Sequence, residues 1–75
     1  MNRQQTMIKN YLLTGAPLTG LEAIDRFGVY ALSQRVGELK RMGNEIRTER
    51  IELESGKRVA QYWMVRPAEQ MGMNL

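Results

Sequence analysis

Apolar residues recur with helical spacing in three successive segments of the first half of the chain. Residues 3–14 predict a first helix, residues 20–27 a second and residues 31–42 a third. The positions expected to be buried are Met7, Ile8, Tyr11 and Leu12 in the first helix, Leu21, Ile24 and Phe27 in the second, and Leu32, Val36 and Leu39 in the third.

Local signals mark the ends of these helices. Thr19 is a good N-cap, and Glu22 follows three residues later, which is the spacing of a capping box. Gly28 and Gly43 suit the ends of the second and third helices, and Gly28 stands where a positive φ is expected. The extended segment 17–19 begins with a proline and is able to add a minimal strand to a later sheet.

In the second half of the chain the period changes to that of strands. Residues 45–53 and 58–65 predict the two strands of a hairpin, and Gly56 supplies the unusual dihedral angles of its turn. In the returning strand we expect Tyr62 to face the core. Trp63 then lies on the other face, where it is either partly exposed or covers the end of the core at the first helix.

The first strand of the hairpin has apolar residues of two parities. Ile46 and Thr48 share one face, whereas Ile51 and Leu53 share the other. Either a bulge near Arg50 resets the register, or the two pairs serve different faces of the sheet.

Three helices followed by a two-stranded β-hairpin wing predict an α+β fold, the winged helix-turn-helix. Residues 3–65 form this domain, and we expect residues 66–75, which have no clear period, to be a flexible tail. Helix 31–42 buries one narrow apolar face, so its opposite face is free to enter a groove wide enough for a helix.

Composition narrows the class of protein. A chain of 75 residues forms one domain with a small core. It has no cysteine and no histidine, which argues against disulfides, transition-metal sites and nucleophile–histidine catalysis. We therefore expect no enzymatic activity, no metal and no cofactor. We also expect no membrane span and no signal peptide, hence a cytoplasmic protein.

Eight residues are candidate contacts to DNA. The outward face of the third helix offers side chains for base edges and phosphates, and its glycine permits a close approach of another backbone. Two cations at the hairpin tip suit phosphates. The set is Tyr30, Ser33, Gln34, Gly37, Lys40, Arg41, Lys57 and Arg58. The alternative for both regions is a polar surface that is only solvated.

Charge elsewhere in the chain qualifies this prediction. The net charge of +3 is a weak indication of nucleic acid, although eight of the eleven cationic residues are arginines. Arg35 and Glu38 have the spacing of an ion pair on a helix surface, while Arg35 is equally able to reach a phosphate. We expect the body of the hairpin to pair its charges across its strands, because the segment 45–54 carries the carboxylates Glu45, Glu49, Glu52 and Glu54.

Three motifs follow one another: AIDRFG at 23–28, LSQRVGELKRMG at 32–43 and GKRVAQY at 56–62. Together with Leu18, Thr19 and Ile46, they resemble the pattern of small phage- and prophage-encoded helix-turn-helix domains of winged-helix type. The resemblance covers about residues 5–65. It implies a winged-helix fold and binding of double-stranded DNA.

These features predict a double-stranded DNA-binding protein, a phage or prophage transcriptional regulator or accessory factor. It would read the major groove with helix 31–42 and phosphates with the hairpin tip. A homodimer is a further expectation, since one short helix reads few base pairs. The alternative is a winged-helix module that binds and modulates a host protein, favoured by the acidic strand, Trp63 and the tail residues Met71 and Met73.

Overall fold

The computed structural model describes residues 1–68, in which three helices and three strands alternate in the order α-β-α-α-β-β. The elements are α1 (Arg3–Leu13), β1 (Leu18–Thr19), α2 (Gly20–Phe27), α3 (Leu32–Arg41), β2 (Glu45–Glu52) and β3 (Arg58–Arg66). This is the α+β winged-helix order that the sequence predicts, with bounds close to those expected. Within these residues no helix is both long and apolar enough to cross a membrane.

Side-chain caps define where α1 and α2 begin. Glu22 N–H donates to Thr19 Oγ1 at 3.2 Å and Thr19 N–H donates to Glu22 Oε1 at 2.9 Å, so the predicted capping box is confirmed. Asn2 and Gln5 form a second capping box at the start of α1, which was not predicted. At the other end of α2, Gly28 has the expected positive φ, +67°.

The core lies between the three helices and one face of the sheet. The predicted inner faces of α1 and α3 are confirmed, and Met7, Tyr11 and Phe27 pack half-buried against the core. The buried apolar residues are Ile8, Leu12, Leu18, Ala23, Val29, Leu32, Val36, Leu39 and Ile46.

The prediction for α2 is wrong in part. Leu21 is 52% exposed and Ile24 is 36% exposed, whereas Ala23 is fully buried. An eight-residue helix directs only a narrow face into a small core, and that face is set here by Ala23 and Phe27, four residues apart. Leu21 and Ile24 lie beside that face and remain accessible.

The sheet is antiparallel, with strand order β1-β3-β2. Leu18 and Thr19 of β1 lie opposite Tyr62 and Gln61 of β3, so the predicted minimal strand forms and the sheet has three strands where the wing prediction had two. Because β1 is only two residues long, it pairs only with Gln61 and Tyr62 of β3. Residues 58–60, which we call the outer part of β3, are therefore paired on one side alone, with β2.

Ile46 and Ile51, one from each predicted pair, lie on different faces of the sheet, which decides between the predicted alternatives. Ile46 is buried and lies opposite Met64, whereas Ile51 has the other parity and is half-buried. A bulge near Arg50 does not form. The register shift falls instead between Glu45 and Ile46, and pairing is continuous through the rest of β2.

The two aromatic residues of β3 lie on opposite faces of the sheet. Tyr62 packs half-buried against the core together with Met64, as predicted. Trp63 has the other parity, lies opposite Arg47 of β2 and is itself half-buried. Of the two alternatives for Trp63, partial exposure on the face away from the core agrees with this placement.

The fold continues past residue 65, where the domain was predicted to end. β3 runs to Arg66, and the Ala68 N–H donates to the side-chain oxygen of Asn44 at 2.9 Å. Residues 66–68 therefore belong to the folded domain and not to a tail, because a strand and a buried side chain hold them. The remainder of the predicted tail, with Met71 and Met73, lies outside the described residues.

Candidate nucleic-acid interface

Helix α3 has one buried face and one free face. Leu32, Val36 and Leu39 are at most 3% exposed, as their spacing predicts. Ser33 and Gln34 are exposed on the other side, because their positions turn them away from the core. None of the elements described in residues 1–68 covers that face, which leaves it accessible to a partner.

Tyr30 and the glycine turn place a further side chain at the start of this face. Val29, next to Tyr30, is fully buried and its N–H donates to the carbonyl of Ala23 at 3.1 Å. This bond fixes the turn between α2 and α3. Tyr30 is thereby directed outward and is 81% exposed, the most accessible of the large apolar side chains described.

Four candidate cations are exposed. Lys40 and Arg41 are exposed at the end of α3, and Lys57 and Arg58 are exposed at the hairpin tip. Within residues 1–68 none of the four has a carboxylate within 4.0 Å. Their positive charge is therefore available to an anionic partner.

Arg35 differs from these four cations because it is held inside the domain. Its Nη2 lies 3.4 Å from Glu38 Oε2, which confirms the predicted i, i+3 ion pair. Glu38 Oε1 also accepts a 2.7 Å hydrogen bond from Gln5 Nε2, and Gln5 is buried on α1. This bond joins residues 33 positions apart, so no local pattern in the sequence predicts it.

The carboxylates of the wing are paired only at its base. Glu45 lies 3.3 Å from Arg47 and 3.2 Å from Arg66 of the neighbouring strand, so cross-strand pairing is confirmed there. It is wrong for the other three carboxylates, which have no ion pair among residues 1–68: Glu49, Glu52 and Glu54. All three are exposed, where hydration competes with an ion pair and little energy is gained from one.

Gly37 stands in the middle of the free face of α3. A Cβ atom built on it would meet only Arg41 Nη1, at an ordinary contact distance of 3.7 Å. Packing within the domain therefore does not require glycine at this position. Since glycine inside a helix is less stable than alanine by about 1 kcal/mol, its presence agrees with a close approach from outside.

Asn44 connects the end of α3 to the end of the wing. It is 3% exposed, its Nδ2 donates to the Leu39 carbonyl at 2.8 Å, and its Oδ1 accepts from Ala68 N–H at 2.9 Å. Beside it, a Cβ atom on Gly43 would come within 3.3 Å of Ala68 Cβ. The end of α3 and the base of the wing, at the opposite end of β3 from the hairpin tip, are thus joined through one buried side chain.

A groove of about 330 Å³ lies between the helices and the wing, and the sequence did not predict it. We call it the α2–wing groove. It lies between the first turns of α2 and α3 on one side and the outer part of β3 on the other. Its lining is Gly20, Leu21, Tyr30, Leu32, Ser33, Val59, Ala60 and Tyr62.

The model of a family described as "Winged helix-turn-helix domain" matches residues 3–67. The chain belongs to this family. No curated protein and no solved structure gives a significant match. Winged helix-turn-helix domains typically bind DNA through the second helix of the motif, which is α3 in this chain, and the exposed face of α3 agrees with that use.

Proposed function

We propose that this protein binds double-stranded DNA in a sequence-dependent manner. The observation that carries the proposal is the position of four exposed cations, at the end of α3 and at the hairpin tip, none of which has a carboxylate within 4.0 Å among residues 1–68. Exposed cations at the end of the helix and at the hairpin tip suit contacts to the phosphate backbones that border a DNA groove.

In this mechanism α3 enters the major groove, which is wide enough for a helix. Ser33, Gln34 and Arg41 face base edges, where their donors and acceptors distinguish base pairs. Tyr30 and the backbone at Gly37 approach the same groove wall. Lys40 at the end of α3 contacts a phosphate and fixes the orientation of the helix.

The wing contributes through its tip alone. Lys57 and Arg58 contact phosphates beyond the segment read by α3. The carboxylates Glu49 and Glu52 of β2 and Glu54 of the turn stay away from DNA, because they would repel it. This polarity orients the hairpin with its β3 side toward the duplex.

A salt titration tests the proposal. Purified protein is first used to select fragments from a genomic library, and binding to a selected duplex is then measured at several salt concentrations. We expect the logarithm of affinity to fall linearly with the logarithm of salt concentration, because phosphate contacts release counterions. Absence of salt-dependent binding to every duplex would show the proposal to be wrong.

Substitution of Lys57 and of Arg3 by alanine compares the loss of one positive charge inside and outside the proposed interface. Lys57→Ala should weaken binding to all sequences similarly and reduce the salt slope by about 1. Arg3→Ala removes an exposed cation from the start of α1, outside the proposed interface, and should leave the slope unchanged. Equal effects of the two substitutions would contradict a specific role of the hairpin tip.

The biological role that we propose is that of a transcriptional regulator or accessory DNA-binding factor of phage or prophage type, acting in the cytoplasm. The resemblance of the three sequence motifs supports this role. A homodimer on two half-sites would supply the affinity that one short helix lacks. Sedimentation of the protein with and without a selected duplex measures whether it is a monomer or a dimer.

A second candidate function is a protein-interaction module that modulates a host protein. The exposed carboxylates Glu49, Glu52 and Glu54, together with half-buried Trp63 on the sheet face away from the core, favour it. Under this function, one protein would be captured in stoichiometric amount and no duplex would bind. The salt titration and a pull-down on the same preparation distinguish the two functions.

A further inference from the structure

The α2–wing groove has a lining that the proposed phosphate contacts do not explain. Its exposed walls are apolar: Leu21 is 52% exposed and Tyr30 is 81% exposed, with Val59 and Ala60 half-buried opposite them. Leu21 is surplus to the core, since α2 packs inward through Ala23 instead. Together, Leu21 and Tyr30 expose apolar surface along one groove, and such a patch is typical of a contact with a partner.

Charge restricts what this groove can receive. The polar side-chain groups in its lining are hydroxyls, those of Ser33, Tyr30 and Tyr62, and no charged residue lines it. The nearest carboxylate along α2, Glu22, accepts a hydrogen bond from the Thr19 N–H and so is engaged in the helix cap. The groove is therefore apolar, and its lining has no carboxylate that would repel an anionic molecule.

The position of the groove restricts what can enter it. Tyr30 and Ser33 line it and also belong to the candidate DNA contacts, so the groove opens onto the face of α3 that the proposed function places in the major groove. A group of the partner that enters the groove from that face must be apolar, because the lining carries no charge. Double-stranded DNA meets this requirement, because the thymine methyl group is an apolar feature of the major-groove wall next to the phosphates.

We propose that the α2–wing groove receives the C5-methyl group of a thymine, so that Leu21 and Tyr30 add a preference for thymine to the DNA site. This inference rests on the proposed function, because it requires the start of α3 to lie in the major groove. It assigns a recognition role to Leu21, a residue that lies outside the helix-turn-helix recognition helix.

Replacing thymine by deoxyuridine tests the inference, since deoxyuridine keeps the hydrogen-bonding edge and lacks only the methyl group. Duplexes selected by the purified full-length protein are made with deoxyuridine at all thymines and then at each thymine singly. We expect about fourfold weaker binding at one or two positions, the factor that corresponds to burial of one methyl group. No loss of affinity on full replacement would overturn the inference.

Leu21→Asn tests whether the groove is responsible, with Leu13→Asn as its control. Both leucines are about half exposed, at 52% and 47%, so neither change should prevent folding, and Leu13 on α1 lies outside the groove. Leu21→Asn should bind the thymine duplex a few-fold less tightly and lose the distinction between thymine and deoxyuridine. Leu13→Asn should keep both properties.

Failure of this inference differs from failure of the proposed function. Salt-dependent DNA binding with no methyl effect, or with a methyl effect that Leu21→Asn leaves intact, overturns the role of the groove alone. Absence of any DNA binding overturns both. Capture of an apolar peptide that competes with no duplex would assign the groove to a protein partner instead.

Discussion

Two regions of this domain use their cations in opposite ways. Where α1 meets α3, Arg35 is partly buried, ion-paired to Glu38 and linked through it to Gln5. On the free side of α3, Arg41 is exposed and has no carboxylate partner among residues 1–68. The two arginines are only six positions apart on one helix.

The difference separates stability from binding along the two faces of α3. A partly buried charge requires a partner, because an unpaired one costs desolvation energy on folding. An exposed charge adds little to folding and keeps its hydration until a partner arrives. Substitutions on the two faces should therefore change different measured quantities, and each of the following experiments tests that separation.

The largest effect is expected at the buried face of α3. Leu39 is fully buried, so Leu39→Ala removes core contacts and should lower the free energy of unfolding by about 2–5 kcal/mol. In a domain this small, such a loss leaves little stability. Urea denaturation followed by circular dichroism measures it. Leu13→Ala, at a half-exposed position, is the control, and comparable losses in both variants would contradict the assigned core.

At the free face, Arg41→Ala should weaken binding to a selected duplex by about 1–3 kcal/mol. The free energy of unfolding should change by no more than about 0.5 kcal/mol, because the side chain is exposed. Arg47→Ala removes an arginine that is ion-paired to Glu45 and serves as the control. If the two variants lost affinity equally, net charge and not position would govern binding.

The polar contact between α1 and α3 should contribute to stability alone. Glu38→Gln removes the charge that pairs with Arg35 and should lower the free energy of unfolding by about 1–2 kcal/mol. Glu49→Gln, at an exposed carboxylate with no ion pair among residues 1–68, should change it by less than about 0.5 kcal/mol. Thermal denaturation of both variants checks this, and a stable Glu38→Gln protein would contradict it.

Gly37→Ala should move stability and binding in opposite directions. The added methyl group has space within the domain and favours the helix, so the free energy of unfolding should rise by up to about 1 kcal/mol. Binding to a selected duplex should weaken, because the methyl group would occupy the surface that approaches DNA. A variant that is more stable and binds equally well would show that nothing approaches this glycine.

Much of the fold was predictable because its signals are local. The Thr19–Glu22 capping box, the positive φ of Gly28 and the spacing of Leu32, Val36 and Leu39 each depend on residues within one or two turns of helix. The exposed face of α3 followed from the same spacing. Its DNA contacts remain predictions, since they depend on a partner.

What the sequence did not predict depends on contacts between distant segments. Leu21 and Ile24 belong to an apolar stripe, but periodicity does not tell whether another element covers it. The Gln5–Glu38 hydrogen bond and the α2–wing groove likewise arise only when separate elements meet. The register shift at Glu45 follows the pairing of two whole strands and has no single-residue signal.

Asn44 gives the domain a fixed internal geometry. With one buried amide it holds both the last turn of α3 and the backbone just after β3. The end of the helix and the base of the hairpin are therefore held at a set distance in the folded protein. A duplex that engages both at once would have to present a matching groove width and curvature, so that the mechanical deformability of DNA would become part of its recognition.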